Sequence, residues 1–234
     1  MTSPLHILQS PAGYRYSVDP FLLSAFATLP ATARVADLGT GSGILPLLLA
    51  RSGKGGEFVG FEVQEEMAAR AAQSVALNGL EGRVRIVRAD VRDLPEAFAP
   101  GSFAAVVTNP PYRKPCNGRV APGVERGAAR HELAGGLTDF LRGAAFLLDN
   151  RGRFFIVYLA ERLAELLDEM RTYRLEPKRL RLVHARAGAP AKLALVEGRK
   201  NAGPGLAVEA PLIMYREGAG RNYTEEMEEI FAGV

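Results

Sequence analysis

Between residues 34 and 171 the chain alternates short apolar, β-branched runs with longer stretches of helical period, and this alternation narrows the fold more than any other feature. Arg34 to Gly39 reads as a buried strand running into a turn, followed by an apolar helical run from Gly43 to Arg51. Glu57 to Val63 is a second strand. Gln64 to Asn78 is a helix with Met67, Ala71, Val75 and Leu77 expected on its buried side, stopped by Asn78-Gly79. Further strands are expected at Arg83 to Arg88, Phe103 to Thr108 and Gly152 to Tyr158, with helices at Leu137 to Leu148 and Leu159 to Arg171. Strands and helices joined by short connections imply an α/β protein, a mostly parallel sheet covered on both faces. Right-handed crossovers then gather the loops after the strands along one edge, where ligands bind.

After Arg171 the pattern changes. Leu180 to Arg186 and Lys192 to Glu197 are strand-like and leave no room for a helix between them, so they form an antiparallel hairpin. Leu212 to Tyr215 suits another short strand, and Tyr223 to Phe231 a short acidic helix capped by Thr224. The expected organisation is one domain over residues 1–234: an extension at 1–33, a core at 34–200, and a strand and helix at 201–234.

With 47% hydrophobic residues the chain has ample material for one large core. No apolar run approaches the ~20 residues that cross a bilayer, and the first ten residues lack the features of a secretory leader. The single cysteine, Cys116, excludes an internal disulfide and a multi-cysteine zinc site, which fits a reducing cytoplasm. No metal is expected. His6 and His184 have no partner at recognisable spacing, His131 suits a surface position, and Cys116 lacks a triad context.

Two loops carry the chemistry. Asp37-Leu38-Gly39-Thr40-Gly41-Ser42-Gly43 closes the first strand with glycines at alternate positions, which lets the backbone turn sharply and a ligand approach it closely. The spacing is neither the dinucleotide fingerprint nor a phosphate loop. Glu62 ends the second strand and can accept hydrogen bonds from both hydroxyls of a ribose. Asp90, after the third strand, can bind an adenine amino group, while Asp37 can either orient the loop or reach a ligand ammonium. Asn109-Pro110-Pro111-Tyr112 follows the fourth strand. Two prolines fix the backbone there, so the Pro110 carbonyl and the Asn109 side-chain oxygen can serve as two acceptors for one amino group. Tyr112 offers a ring face to a planar substrate. Holding both hydrogens of a delocalised amino nitrogen helps it rehybridise and direct its lone pair.

The glycine loop resembles the first motif of class I S-adenosylmethionine methyltransferases, and Asn109-Pro110-Pro111-Tyr112 resembles the motif of those that methylate adenine N6, cytosine N4 or a protein glutamine. The resemblance implies a Rossmann-like seven-stranded sheet, with S-adenosylmethionine as cofactor. It implies cofactor contacts from Asp37, Gly39, Thr40 and Gly41, with Glu62 on the ribose and Asp90 and Val91 at the adenine. It assigns catalytic roles to Asn109, Pro110 and Tyr112.

The stretch from Gln9 to Leu23, with Leu212 to Tyr215 and Tyr223 to Glu226, is similar to a bacterial family that methylates N6 of adenosine in the anticodon loop of a valine tRNA. Within it, Tyr14 and Tyr16 suit packing near the cofactor pocket, and Asp19 suits a cap on the helix starting at Pro20, or else a cofactor contact. Charge is compatible with an RNA partner. Residues 113–131 carry a net of +4 and residues 174–200 a net of +6 in a chain of net +3, so the remainder is acidic. Arg113 and Lys114, next to the reacting loop, are candidates for substrate phosphates. Other substrates on the same chemistry are ribosomal RNA, DNA adenine or a glutamine side chain, and the non-catalytic alternative is an RNA-binding module. Oligomeric state is left open.

Overall fold

A computed structural model describes residues 4–9, 17–94, 98–112, 135–218 and 220–233. Tyr14, Tyr16, Arg113, Lys114, Cys116 and His131 lie outside them.

Five strands run parallel: β1 (Arg34–Leu38), β2 (Glu57–Glu62), β3 (Val84–Arg88), β4 (Phe103–Thr108) and β5 (Leu148–Leu159), side by side in the order β3-β2-β1-β4-β5. The hairpin of β6 (Leu175–His184) and β7 (Ala191–Lys200) is antiparallel, with β7 lying between β5 and β6. The fold class is as expected, but the sheet has nine strands rather than seven. The additions are β8 (Ala207–Val208) and β9 (Leu212–Ile213), which pair parallel with the outer edge of β6. Two residues are too few to show an alternation in sequence, and Ala207–Val208 was not foreseen.

Alternate side chains of the central strands enter two separate cores, as the two-residue period of a strand requires. Leu38, Val106, Phe154 and Ile156 pack beneath α4 (Leu137–Leu147) and α5 (Leu163–Thr172). Val35, Val107, Phe155 and Val157 pack on the opposite face under α1 (Asp19–Phe26), α2 (Ile44–Arg51) and Val75 of α3 (Glu65–Leu77). The helix α6 (Glu225–Ala232) joins this second core through Met227 and sets Phe231 edge-on to Phe21, 5.3 Å between ring centres.

Several local expectations are corrected. Leu77 is exposed, because it lies 200° round the helix from Val75, and Ser74 takes the buried position. The helix expected from Leu159 opens instead with a 3-10 turn, Ala160–Arg162. Asp19 does not cap α1: the cap position is Val18, and the helix begins at Asp19 itself. Thr224 does cap α6, accepting from the Met227 amide at 3.4 Å, and its hydroxyl donates to the Ile213 carbonyl at 2.7 Å.

Candidate active site

The order of the parallel strands reverses between β1 and β4, the place where open α/β sheets bind ligands. Leu38 pairs with Thr108 in the register of these strands, and the Thr108 hydroxyl donates to the Leu38 carbonyl at 2.8 Å. The glycine loop and Asn109-Pro110-Pro111-Tyr112 therefore leave the sheet side by side. They share one cavity of about 1330 Å³, lined by Asp37, Gly39, Thr40, Gly41, Glu62, Val91, Asn109, Pro110 and Tyr112 together. Asp90 is not among its lining residues.

Gly39, Gly41 and Gly43 all have positive φ, at 71°, 58° and 77°. A side chain at Gly39 would put its Cβ 2.9 Å from the Phe140 ring, so conformation and space both require glycine there. The Thr40 amide donates to the Phe61 carbonyl at 2.9 Å, which seats the loop on β2. Gly60 makes that seat possible, since a Cβ on it would lie 2.8 Å from Thr40 Oγ1 and 2.9 Å from Ile86 Cδ1. Gly60→Ala should lower the stability by about 1–3 kcal/mol through this overpacking. A calorimetric melting point equal to the parent's would show that the loop yields freely.

Glu62 is buried and accepts from the amides of Gly41 and Gln64, each at 2.9 Å. A carboxylate offers about four lone-pair sites, so acceptor capacity remains. Burial pushes its carboxyl above the ordinary range, partly offset by those amide bonds. Asp37 lies deeper, and its Oδ2 has no hydrogen-bond partner among the described residues. Its pKa is pushed up to about 7, chiefly by burial; the Thr40 hydroxyl alongside offsets part of this and the Glu62 carboxylate adds to it. A buried acceptor of this kind invites a cation. Asp90 is differently placed: both its oxygens are held by the Arg92 side chain, which keeps its carboxyl below the usual range.

In the Asn109-Pro110-Pro111-Tyr112 loop, Tyr112 Oη lies 2.8 Å from Asn109 Oδ1 and 2.7 Å from Asp19 Oδ2. Arg162 donates to the Tyr112 carbonyl at 2.8 Å and covers the Tyr158 ring, which meets the Tyr112 ring edge-on. Neither Asp19 nor Arg162 was assigned to this loop from sequence. A strap from the start of the chain was also missed. His6 and Leu8 bond through their backbones to Asn78, just past the end of α3, and to Ser74 within it, bringing Leu8 and Gln9 to the cavity wall. The only sequence signal for this was a serine within a helical stretch and the asparagine that ends it.

The basic stretch 174–200 is largely engaged within the fold. Arg179 and Arg199 pair with Glu197, as does Arg153, and Arg181 pairs with Glu226. Lys178, Arg186 and Lys200 bind backbone carbonyls, which fixes the direction of their side chains, and Asp149 opposes the charge of Lys200. Among the described residues no helix is long and apolar enough to cross a membrane, and no cluster of side chains suits a metal ion.

Comparison with known proteins agrees with this geometry. Residues 35–115 match the family described as a methyltransferase domain. A Bacteroides thetaiotaomicron protein named tRNA1(Val) (adenine(37)-N6)-methyltransferase is 29% identical over 220 residues, 92% of this chain and 88% of its own. A Porphyromonas gingivalis protein of the same name is 30% identical over 178 residues, 74% of this chain and 69% of its own. Among solved structures, one described as a predicted O-methyltransferase from Agrobacterium tumefaciens has a TM-score of 0.73 at 26% identity, covering 92% of this chain and 96% of that one. A ribosomal protein L11 methylase from Lactobacillus delbrueckii shares the fold, with a TM-score of 0.53 at 18% identity over 77% of each chain.

Proposed function

This chain belongs to the methyltransferase family that the curated tRNA1(Val) (adenine(37)-N6)-methyltransferases represent, and from that premise we propose that it methylates N6 of an adenosine in structured RNA, foremost a tRNA anticodon loop, with S-adenosylmethionine as donor. The observation that carries the reading is that Asn109, Pro110 and Tyr112 line the same cavity as Asp37, Glu62 and the glycine loop.

The residues present fit the donor. The orphaned Asp37 Oδ2 suits its ammonium group, the remaining lone pairs of Glu62 suit ribose hydroxyls, and Gly39 and Gly41 keep the backbone bare where a ligand would lie against it. Val91 and Phe140 supply an apolar wall for the adenine, with Asp90 as acceptor once one of its Arg92 contacts yields. S-adenosylmethionine supplies, when bound, a methyl group on a cationic sulfur. Asn109 and the Pro110 carbonyl hold the two hydrogens of the substrate amino group, and the Tyr112 ring, fixed by its hydroxyl and by Tyr158, stacks on the base. Positioning and electrostatics then do the catalysis, with no covalent enzyme intermediate. A base in an anticodon loop is already partly unpaired, so extruding it costs less than flipping from a duplex.

The decisive experiment incubates the protein with total tRNA and labelled S-adenosylmethionine and analyses the nucleosides. Label in N6-methyladenosine is the expected result. In parallel incubations with ribosomal RNA, DNA and a glutamine-containing peptide, label in one of these and none in tRNA would replace the substrate assignment. Charge reversal at both Arg113 and Lys114 should weaken tRNA binding and reduce the slope of log affinity against log salt by about 2. An unchanged slope in a salt titration would place the phosphates elsewhere.

A further inference from the structure

The Asn109 side chain can receive a substrate hydrogen only through its oxygen, because the other end of a carboxamide is a donor. That oxygen has a competitor 2.8 Å away in the Tyr112 hydroxyl. If Tyr112 donated to Asn109, the acceptor would be occupied before any substrate arrived. A phenol carries one hydrogen, however, and a second acceptor stands closer: Asp19 Oδ2 at 2.7 Å. Asp19 is buried at the first residue of α1, next to Pro20, Leu22 and Leu23, which anchor the helix in the core. A carboxylate is a stronger acceptor than an amide oxygen.

We infer that Asp19 is a positioning residue for the transfer: it takes the Tyr112 hydrogen and so keeps the Asn109 oxygen available to the substrate amino group. With that hydrogen drawn to Asp19, Asn109 Oδ1 and Tyr112 Oη would face each other lone pair to lone pair. The carboxamide relieves this by turning end for end, an exchange that costs nothing in shape. Nδ2 then donates to the phenol oxygen and Oδ1 turns from it, free to accept. Among the described residues Tyr112 is the sole hydrogen-bond partner of the Asn109 side chain, so nothing else opposes the turn. The arrangement joins α1 to the reacting loop across 93 residues of sequence. It rests on the amino-group reading of the site.

The test is a double-mutant cycle on Asp19→Ala and Tyr112→Phe. Asp19→Ala should lower kcat by on the order of 10- to 100-fold, the range spanned by one hydrogen bond to a charged group, with cofactor affinity unchanged. Removing the competing hydroxyl as well should restore activity, so the double variant turns over faster than Asp19→Ala alone. A merely structural Asp19 predicts the opposite, a double variant no better than the single one, and that result would overturn the inference. Asp19→Asn, which keeps the shape of the side chain, guards against loosening of α1 and should show a smaller loss rescued in the same way. A readout without substrate separates this idea from the function itself: the side-chain amide resonances of Asn109 should shift in both single variants in ¹⁵N spectra. Wild-type protein that methylates no tRNA would sink the proposed function, whereas unmoved Asn109 resonances would sink the role of Asp19.

Discussion

Asn109→Ala should reduce turnover by on the order of 10²- to 10³-fold, the scale of losing one preorganised polar group at a reacting centre, while the affinity for S-adenosylmethionine stays nearly constant. The expectation follows from where Asn109 sits. Its backbone continues β4 directly after Thr108, whose hydroxyl is tied to Leu38, and Pro110 fixes the next residue. Truncation therefore leaves the loop in place and removes only the carboxamide. No described contact links that carboxamide to the glycine loop, so the two effects separate. Single-turnover rates with saturating tRNA, set beside calorimetric titration of the cofactor, measure both. Turnover comparable to the parent protein would remove Asn109 from the chemistry.

Asp37→Asn should cost on the order of 10²-fold in cofactor affinity, as truncating one partner of a buried charge pair does. It should also erase a pH dependence. The Asp37 carboxyl titrates near 7 in the folded protein against the ordinary 3.8. Because the raised value belongs to the folded state, the stability it contributes is fully present below about pH 4. It is lost as pH rises through 7, at up to about 1.4 kcal/mol per pH unit. Cofactor binding runs the other way. Pairing with an ammonium needs the ionised form, so affinity rises by up to about tenfold per pH unit below 7 and levels off above it. In Asp37→Asn the affinity slope should vanish and the stability slope should shrink to the part that the raised carboxyl of Glu62 supplies, so the unliganded variant should gain on the parent in melting temperature between pH 5 and pH 8. Parallel melting profiles for the two proteins would show that Asp37 is not the group that titrates.

What the sequence revealed was local. The short buried run of Arg34 to Gly39 and the helical stretch from Leu137 to Leu148 survive as β1 and α4, because each signal lies within one element. The glycine turn and Asn109-Pro110-Pro111-Tyr112 were legible for the same reason, and parallel order brings their strands together. What depended on distant partners was hidden. Asp19 read as a helix cap from its neighbours alone, and its engagement with Tyr112 needs the folded sheet. The charge of residues 174–200 read as an RNA-binding patch, yet Glu197, at the centre of β7, collects three arginines from three strands. The engagement of Asp90 was open to view. Arg92 two residues on lies within side-chain reach, and the pair was visible in the sequence.

The insertion of β7 between β5 and β6 imposes an order on biogenesis. Synthesis delivers β1 to β5 first, and one edge of β5 has no neighbour until Ala191–Lys200 emerges. That edge carries Phe154 to Tyr158, an unbroken apolar run of the type that pairs with other chains when uncovered. Roughly 30 residues separate the two strands, which at ribosomal speed is a window of about 2–6 s. The edge is open to pairing with other chains in that interval, and the hairpin that completes the sheet also closes it.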